Sequence, residues 1–439
     1  MIHNQTAAKP PGLFYMTERT NNFLMFLVIS LTIRGVYVFM FSNCFSRDLV
    51  GWNKVSESLS AGENPYHAIS LLDWPPFWMQ LIFLFKKISL VTHLSFDTVV
   101  RVFLIVTESA LALLLYSALT RFTEARSAAK LLIFGIAINP ISIFQVCQHC
   151  NFDVLVGFWI LLAVYMLLRF QERHEPEFWL FACFALGMGA LTKTVPLCLA
   201  PLLLLSIRKI NLTERFLGMA LLLVPITLAL SIVYVLTPAD IETKVIGYRS
   251  TPGGFGFTGL FLALGAPHLA DVWPRVFEAI YGAGWLSLGA WLLSKDTLEK
   301  RKIVLIATNL LLAIVVLGPG KGLQYIYWFL PLLVLLYGWA ERKSRVFLII
   351  LYGIAAISYT IEYALSYNIY GSFLLDGTFS LDFIQTDALL KLGLKLTSNK
   401  WETILLLPLW VVYFVFLATS CVTIGREIIG DLKVVWQRK

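Results

Sequence analysis

What most constrains this chain is repetition: apolar runs about 20 residues long return from end to end, with polar breaks between them, and that is the length a helix needs to cross a bilayer. Runs such as 104–119 and 404–419 show no alternation of polar and apolar residues. In hydrocarbon every backbone polar group needs an internal partner, so a spanning segment is either a helix or a strand of a closed barrel. Barrel strands alternate and these runs do not, so the reading is an all-α polytopic membrane protein. Composition agrees: of 439 residues, 58% are hydrophobic and only 14% charged. Six cysteines are scattered, mostly in apolar runs, and imply no disulfide framework. The first 20 residues are polar and the run after Asn22 is span-length, so no cleavable signal peptide is expected.

Spans are expected near 21–43, 97–119, 131–147, 153–169, 177–192, 194–207, 215–236, 276–294, 302–318, 322–340, 346–364 and 402–425, about twelve in all. Residues 1–439 then form one integral membrane domain, with a tail at 1–20 and outer loops at 44–96, 237–275 and 365–401. Trp74–Leu90 is short for a span and suits a helix lying in the interface. With it on the surface, the basic loops around Arg121, Arg173, Lys209, Lys300 and Arg342 share one face with the basic tail. Both termini are then cytoplasmic. The net charge of +8 reads as a topology signal rather than a nucleic-acid patch, so no nucleic acid is expected among the partners.

Function is sought on the other face. Residues 44–78 are the first long polar interruption, with Asp48 soon after a span, a turn at Gly62-Glu63-Asn64-Pro65-Tyr66 and a return at Trp74-Pro75-Pro76. Residues 48–60 repeat apolar positions every three or four residues, so Asp48 can begin, and cap, an amphipathic helix. Outer-face cations are Lys193, between two short apolar stretches; Arg249, in a Gly-Pro-rich loop; and Lys321, in Gly318-Pro319-Gly320-Lys321-Gly322. The last lacks the strand and the Ser/Thr of a phosphate loop and is kept only as a weak lipid-phosphate contact. Arg34 and Glu108 are intramembrane ionisable groups that must face protein or a polar cavity. Arg34 is expected to pair with Asp48, Asp153 or a phosphate, as a clamp or a ligand contact; Glu108 suits a neutral or paired interhelical role. Gln148, His149, Asn151 and Asp153 crowd an outward helix end, either as a capped helix start or as hydrogen-bonding groups for sugar hydroxyls. Cys147-Gln148-His149-Cys150 is a single CxxC without a second pair, too thin for zinc. Tyr66, Trp74, Trp78, Tyr325 and Trp328 suit either sugar stacking or an interfacial belt.

Taken in order, these motifs resemble the GT-C glycosyltransferases, and within them the polyprenol-phosphate-mannose-dependent mannosyltransferases, similar to the catalytic subunits of GPI mannosyltransferase I. Asp48, the Gly62–Tyr66 turn and Trp74-Pro75-Pro76 match that family's first outer loop, and Arg34 fits its first span. The likeness continues through Gln148–Asp153 and Leu191-Thr192-Lys193-Thr194-Val195-Pro196, and past residue 210 only through Gln324-Tyr325-Ile326-Tyr327-Trp328 and Pro331. The resemblance implies a GT-C fold and inverting transfer of a hexose, mannose by preference, from a polyprenyl- or dolichyl-phosphate sugar to an acceptor hydroxyl on the outer or lumenal face. It makes Asp48 the base and puts Lys193, Arg249, Lys321 and Arg34 at the donor phosphate. Tyr66, Trp74, Gln148, His149, Asn151, Asp153, Gln324 and Tyr325 would surround sugar and acceptor. Partners are the lipid-linked donor, a glycan, lipid or protein acceptor, and the bilayer. One departure concerns metal: Ser46-Arg47-Asp48 has no second carboxylate until Glu57, so no cofactor is expected, with a divalent cation an open alternative. Compact loops favour a bacterial inner membrane over the endoplasmic reticulum. The alternative is a multi-pass lipid or solute transporter, in which polar groups near the midplane and internal symmetry are usual.

Overall fold

The computed structural model describes residues 13–40, 46–68, 74–236, 242, 256–319, 323–366 and 399–437, and every regular element among them is helical. Seven helices are long and apolar enough to cross a membrane: Glu18–Met40, Phe96–Leu119, Asp153–Arg173, Leu212–Ala229, Pro267–Leu293, Ser344–Ile361 and Leu406–Asp431. Ala125–Ala137 and Pro140–His149 meet at 55° and make an eighth, broken crossing if the two count as one span. The Asp153–Arg173 helix sits innermost, with 67% of its apolar window buried, whereas Leu212–Ala229 is only 11% buried. Helices apolar all round that keep such exposed faces need lipid, not water, as their solvent.

The expectation of about twelve full spans is not met among the described residues, and proline is part of the reason. Residues 194–207 do not make an α-helical span: Val195–Leu204 winds as a 3-10 helix containing Pro196 and Pro201, each of which removes a backbone donor. The 322–340 stretch is likewise split, into a 3-10 turn at Leu323–Trp328 and a ten-residue helix at Leu330–Trp339. In the first outer loop, Arg47–Ser60 and Pro76–Thr92 are both helices. Trp52, on the apolar face of the first, packs edge-on against Trp78 of the second at 5.0 Å, and Trp78 stacks on Phe152 at 5.0 Å. That aromatic cluster fastens the loop to the start of the Asp153–Arg173 helix.

The molecule has two chemically different ends. Glu172, in the last turn of the Asp153–Arg173 helix, pairs with Arg121 and, at 2.7 Å, with Lys300. Lys295 reaches Asp431 at 2.6 Å and Lys302 reaches Glu427 at 2.8 Å. Loops that the sequence assigns to one basic face therefore gather at one end. Asp153, 19 residues back along the same helix, lies about 28 Å away at 1.5 Å per residue.

Arg34 is 1% exposed and spends all five of its N–H donors. Nε pairs with Glu108; the terminal nitrogens donate to the carbonyls of Ser30, Ala137 and Ile136 at 3.2 Å each and to Ser142 Oγ at 2.8 Å. Glu108 also accepts from Ser142 and, at 2.8 Å, from Tyr327 Oη. Arg34 is thus a clamp on the broken crossing, paired neither with Asp48 nor with Asp153. Its guanidinium has no donor left for a phosphate.

Candidate active site

Asp48 lies in the first turn of the Arg47–Ser60 helix, but the cap is Ser46, whose Oγ accepts from Leu49 N at 3.3 Å and donates to the carbonyl of His149 at 2.8 Å. The capping role expected of Asp48 therefore falls to the serine two residues earlier, and the carboxylate is released for other contacts. Its Oδ2 accepts from Asn151 Nδ2 at 2.7 Å and lies 3.0 Å from His149 Nε2. Among the described residues no hydrogen bond reaches Oδ1, and 24% of the side chain stays accessible. Burial by itself would raise its pKa. The His149 ring, the Asn151 amide and the charge of Lys193 together outweigh burial and hold it below the ordinary carboxylate value.

His149 and Asn151 reach Asp48 because the chain turns sharply between them. The broken crossing ends in a wide π turn at Phe144–His149, and Cys150 follows in the left-handed region at φ 57°. Wide turns of this kind recur at functional sites, and the left-handed residue costs a non-glycine about 1–2 kcal/mol. Asn151 Oδ1 then accepts from Asp153 N at 2.9 Å, an Asx turn that starts the next helix. One asparagine thus shapes the helix start and holds the aspartate. Burial pushes the Cys150 thiol up to about 12, so it is no thiolate, and no group of three metal-ligand side chains occurs among the described residues.

Asp153 and Lys193 form the second half of the site. Lys193 ends the Pro176–Thr192 helix and donates to Asp153 Oδ1 at 2.9 Å. Trp328 Nε1 donates to the same oxygen at 2.7 Å. The ammonium sits over three rings, Tyr325 at 4.4 Å, Trp328 at 5.1 Å and Phe152 at 5.2 Å, an aromatic cage that stabilises a cation. Asp153 is fully buried, and among the described residues its Oδ2 has no hydrogen-bond partner. Gly157, one turn along, eases the packing: a Cβ there would stand 3.2 Å from the Tyr327 ring and 3.3 Å from its carbonyl, so a larger residue would push the 323–328 turn back by a few tenths of an ångström.

The structure therefore brings together Asp48, His149, Asn151, Asp153, Lys193 and Tyr325. Trp74 borders the group through its edge-on contact with Phe152 at 5.6 Å, and Gln324 is half-buried beside Tyr325. Two expected sugar contacts have other roles. Tyr66 is 1% exposed and donates to the carbonyl of Trp74 at 2.7 Å, stapling the loop closed. Gln148 is also 1% exposed and accepts from Tyr37 Oη at 3.0 Å. Arg249 and Lys321 lie outside the described residues. Sequence reasoning missed Phe152 as a wall of the cage and did not pair Trp328 with Asp153. The signal for Ser46 was available, since serine is a preferred N-cap and sits three residues before Leu49.

No family profile matches the chain, and no curated protein matches it. Three solved chains match. One of them is ArnT from Cupriavidus metallidurans bound to undecaprenyl phosphate, at 16% identity and a TM-score of 0.53, over 92% of this chain and 77% of that one. Identity this low speaks for architecture alone: the chain has the GT-C fold of ArnT.

Proposed function

We propose that the chain is an inverting glycosyltransferase that moves a hexose, mannose in our reading, from a polyprenyl-phosphate donor to an acceptor hydroxyl on the non-cytoplasmic face. The observation that carries this reading is the juxtaposition of an accessible aspartate and a caged lysine on a fold shared with a protein that was crystallised with undecaprenyl phosphate. Inversion needs one base on one face of the sugar and a departing group on the other, not a close carboxylate pair. Asp48 Oδ1 accepts the acceptor's proton while the acceptor oxygen forms its bond to the anomeric carbon. The bond from that carbon to the phosphate oxygen breaks, and polyprenyl phosphate leaves with an added negative charge.

Lys193 meets that charge. An ammonium has three donors; Asp153 takes one, and 17% of the side chain is accessible. A cation about 4 Å from a developing charge contributes roughly 4 kcal/mol at an effective dielectric near 20. Asp153 Oδ1 is committed to Lys193 and Trp328, and no step here uses a divalent ion.

The test is transfer from a panel of radiolabelled polyprenyl-phosphate sugars, using membranes that contain the wild type or Asp48→Asn. Loss of a positioned general base should lower kcat about 10²–10⁴-fold with normal protein levels. Near-normal transfer by the variant would remove Asp48 from the chemistry. Failure of every donor in the wild type would remove the transferase reading itself.

A further inference from the structure

The end opposite Asp48 carries a cavity of about 570 Å³, lined by Arg19, Arg121 and Lys300 against one acid, Glu172, with Tyr116, Thr120 and Tyr165 among its walls. Glu172 already accepts from Arg121 and from Lys300 at 2.7 Å, and Arg169 Nε lies 3.7 Å from it. One carboxylate therefore faces several cations, and the cavity keeps a surplus of positive charge. Its depth matters as much as its charge. Arg19 stands at the start of one candidate span, while Thr120 and Glu172 close two others. Those helix ends mark the level where hydrocarbon gives way to headgroups. A soluble anion meets this depth only at its bulk concentration, whereas a phosphodiester anchored by acyl chains is concentrated there by default.

We propose that this cavity binds the headgroup of an anionic phospholipid, remote from the transfer site and independent of it. Arg121 and Lys300 would divide their hydrogen bonds between Glu172 and the phosphate. Arg19, held to the carbonyl of Thr120 at 3.3 Å, would close the anion from the third side. Glu172 then has two opposed effects: it orders the cations, and it competes with the ligand for them.

That opposition makes the idea testable with full-length protein. Native mass spectrometry would follow phosphatidylglycerol or phosphatidylcholine retained by protein taken from mixed micelles. Retention of phosphatidylglycerol should exceed that of phosphatidylcholine, and it should fall about fivefold for each cation removed in Arg121→Gln and Lys300→Gln. Glu172→Gln should raise retention, because it deletes the competitor. Equal retention of the two lipids would overturn the proposal. So would a Glu172→Gln variant that loses lipid as Arg121→Gln does, since that marks a cluster with only a structural role. Complete displacement of the lipid by inorganic phosphate would reassign the cavity to a free anion and overturn the lipid assignment.

Discussion

Two of the buried ion pairs in this protein are built to opposite specifications. Arg34–Glu108 is closed: every guanidinium donor is used, and the carboxylate also takes bonds from Ser142 and Tyr327. Lys193–Asp153 is open: the lysine is partly accessible, and among the described residues one oxygen of the fully buried aspartate has no partner. A buried charge is tolerated when its partners are complete, and breaking such a set by removing one member is expensive. An incomplete set is tolerated where something else is meant to complete it. The closed pair belongs to the fold, and the open one is what the proposed transfer would use.

That contrast can be broken most directly at Arg34. Arg34→Met strands Glu108 and should cost about 3–5 kcal/mol of stability, read as lost folded yield and a lowered thermal midpoint in detergent. Arg34→Met with Glu108→Met should recover much of it. A single variant of wild-type stability but without transfer would make Arg34 a ligand contact after all. Lys193→Met should act the other way round. It should lower kcat with the lipid-linked donor about 10²–10³-fold, as loss of one charge-stabilising donor does, with a smaller drop in thermal midpoint than Arg34→Met. Equal damage to both properties would erase the distinction.

The smallest expected effect is a change in pH dependence. Asp48 titrates below the ordinary carboxylate value in the fold, so the acid limb of kcat/KM should lie below that value, and the stability its charge adds is lost only as pH falls through the lowered pKa. His149→Ala removes the largest influence holding it down and leaves the opposing push of burial. The acid limb should then move up. An unmoved limb in a variant that still folds would mean another group sets it.

Much of the fold was legible because the bilayer imposes so simple a rule. Runs at 96–119 and 153–173 could not be anything but helices once their length and lack of alternation were noted. The 194–207 run shows where the rule fails, since hydropathy counts apolar residues and does not register that Pro196 and Pro201 change how they wind. At the site, Asp48, Asn151, Asp153 and Lys193 could be named because each is polar at the end of an apolar run. Their pairing could not be read. Sequence places Arg34 near the outer third of its span, but whether it looks to Asp48 or to Glu108 depends on helix rotation, which only packing decides.

The prolines that break the 194–207 run also set a height. A 3-10 helix rises about 2.0 Å per residue and an α-helix about 1.5 Å. Ten residues so wound from Val195 to Leu204 travel about 20 Å instead of about 15 Å. The chain thereby gains nearly a full turn of reach without an added residue. Lys193 stands at the head of that strut, so its distance from Leu204 is set by how tightly the residues between them are coiled.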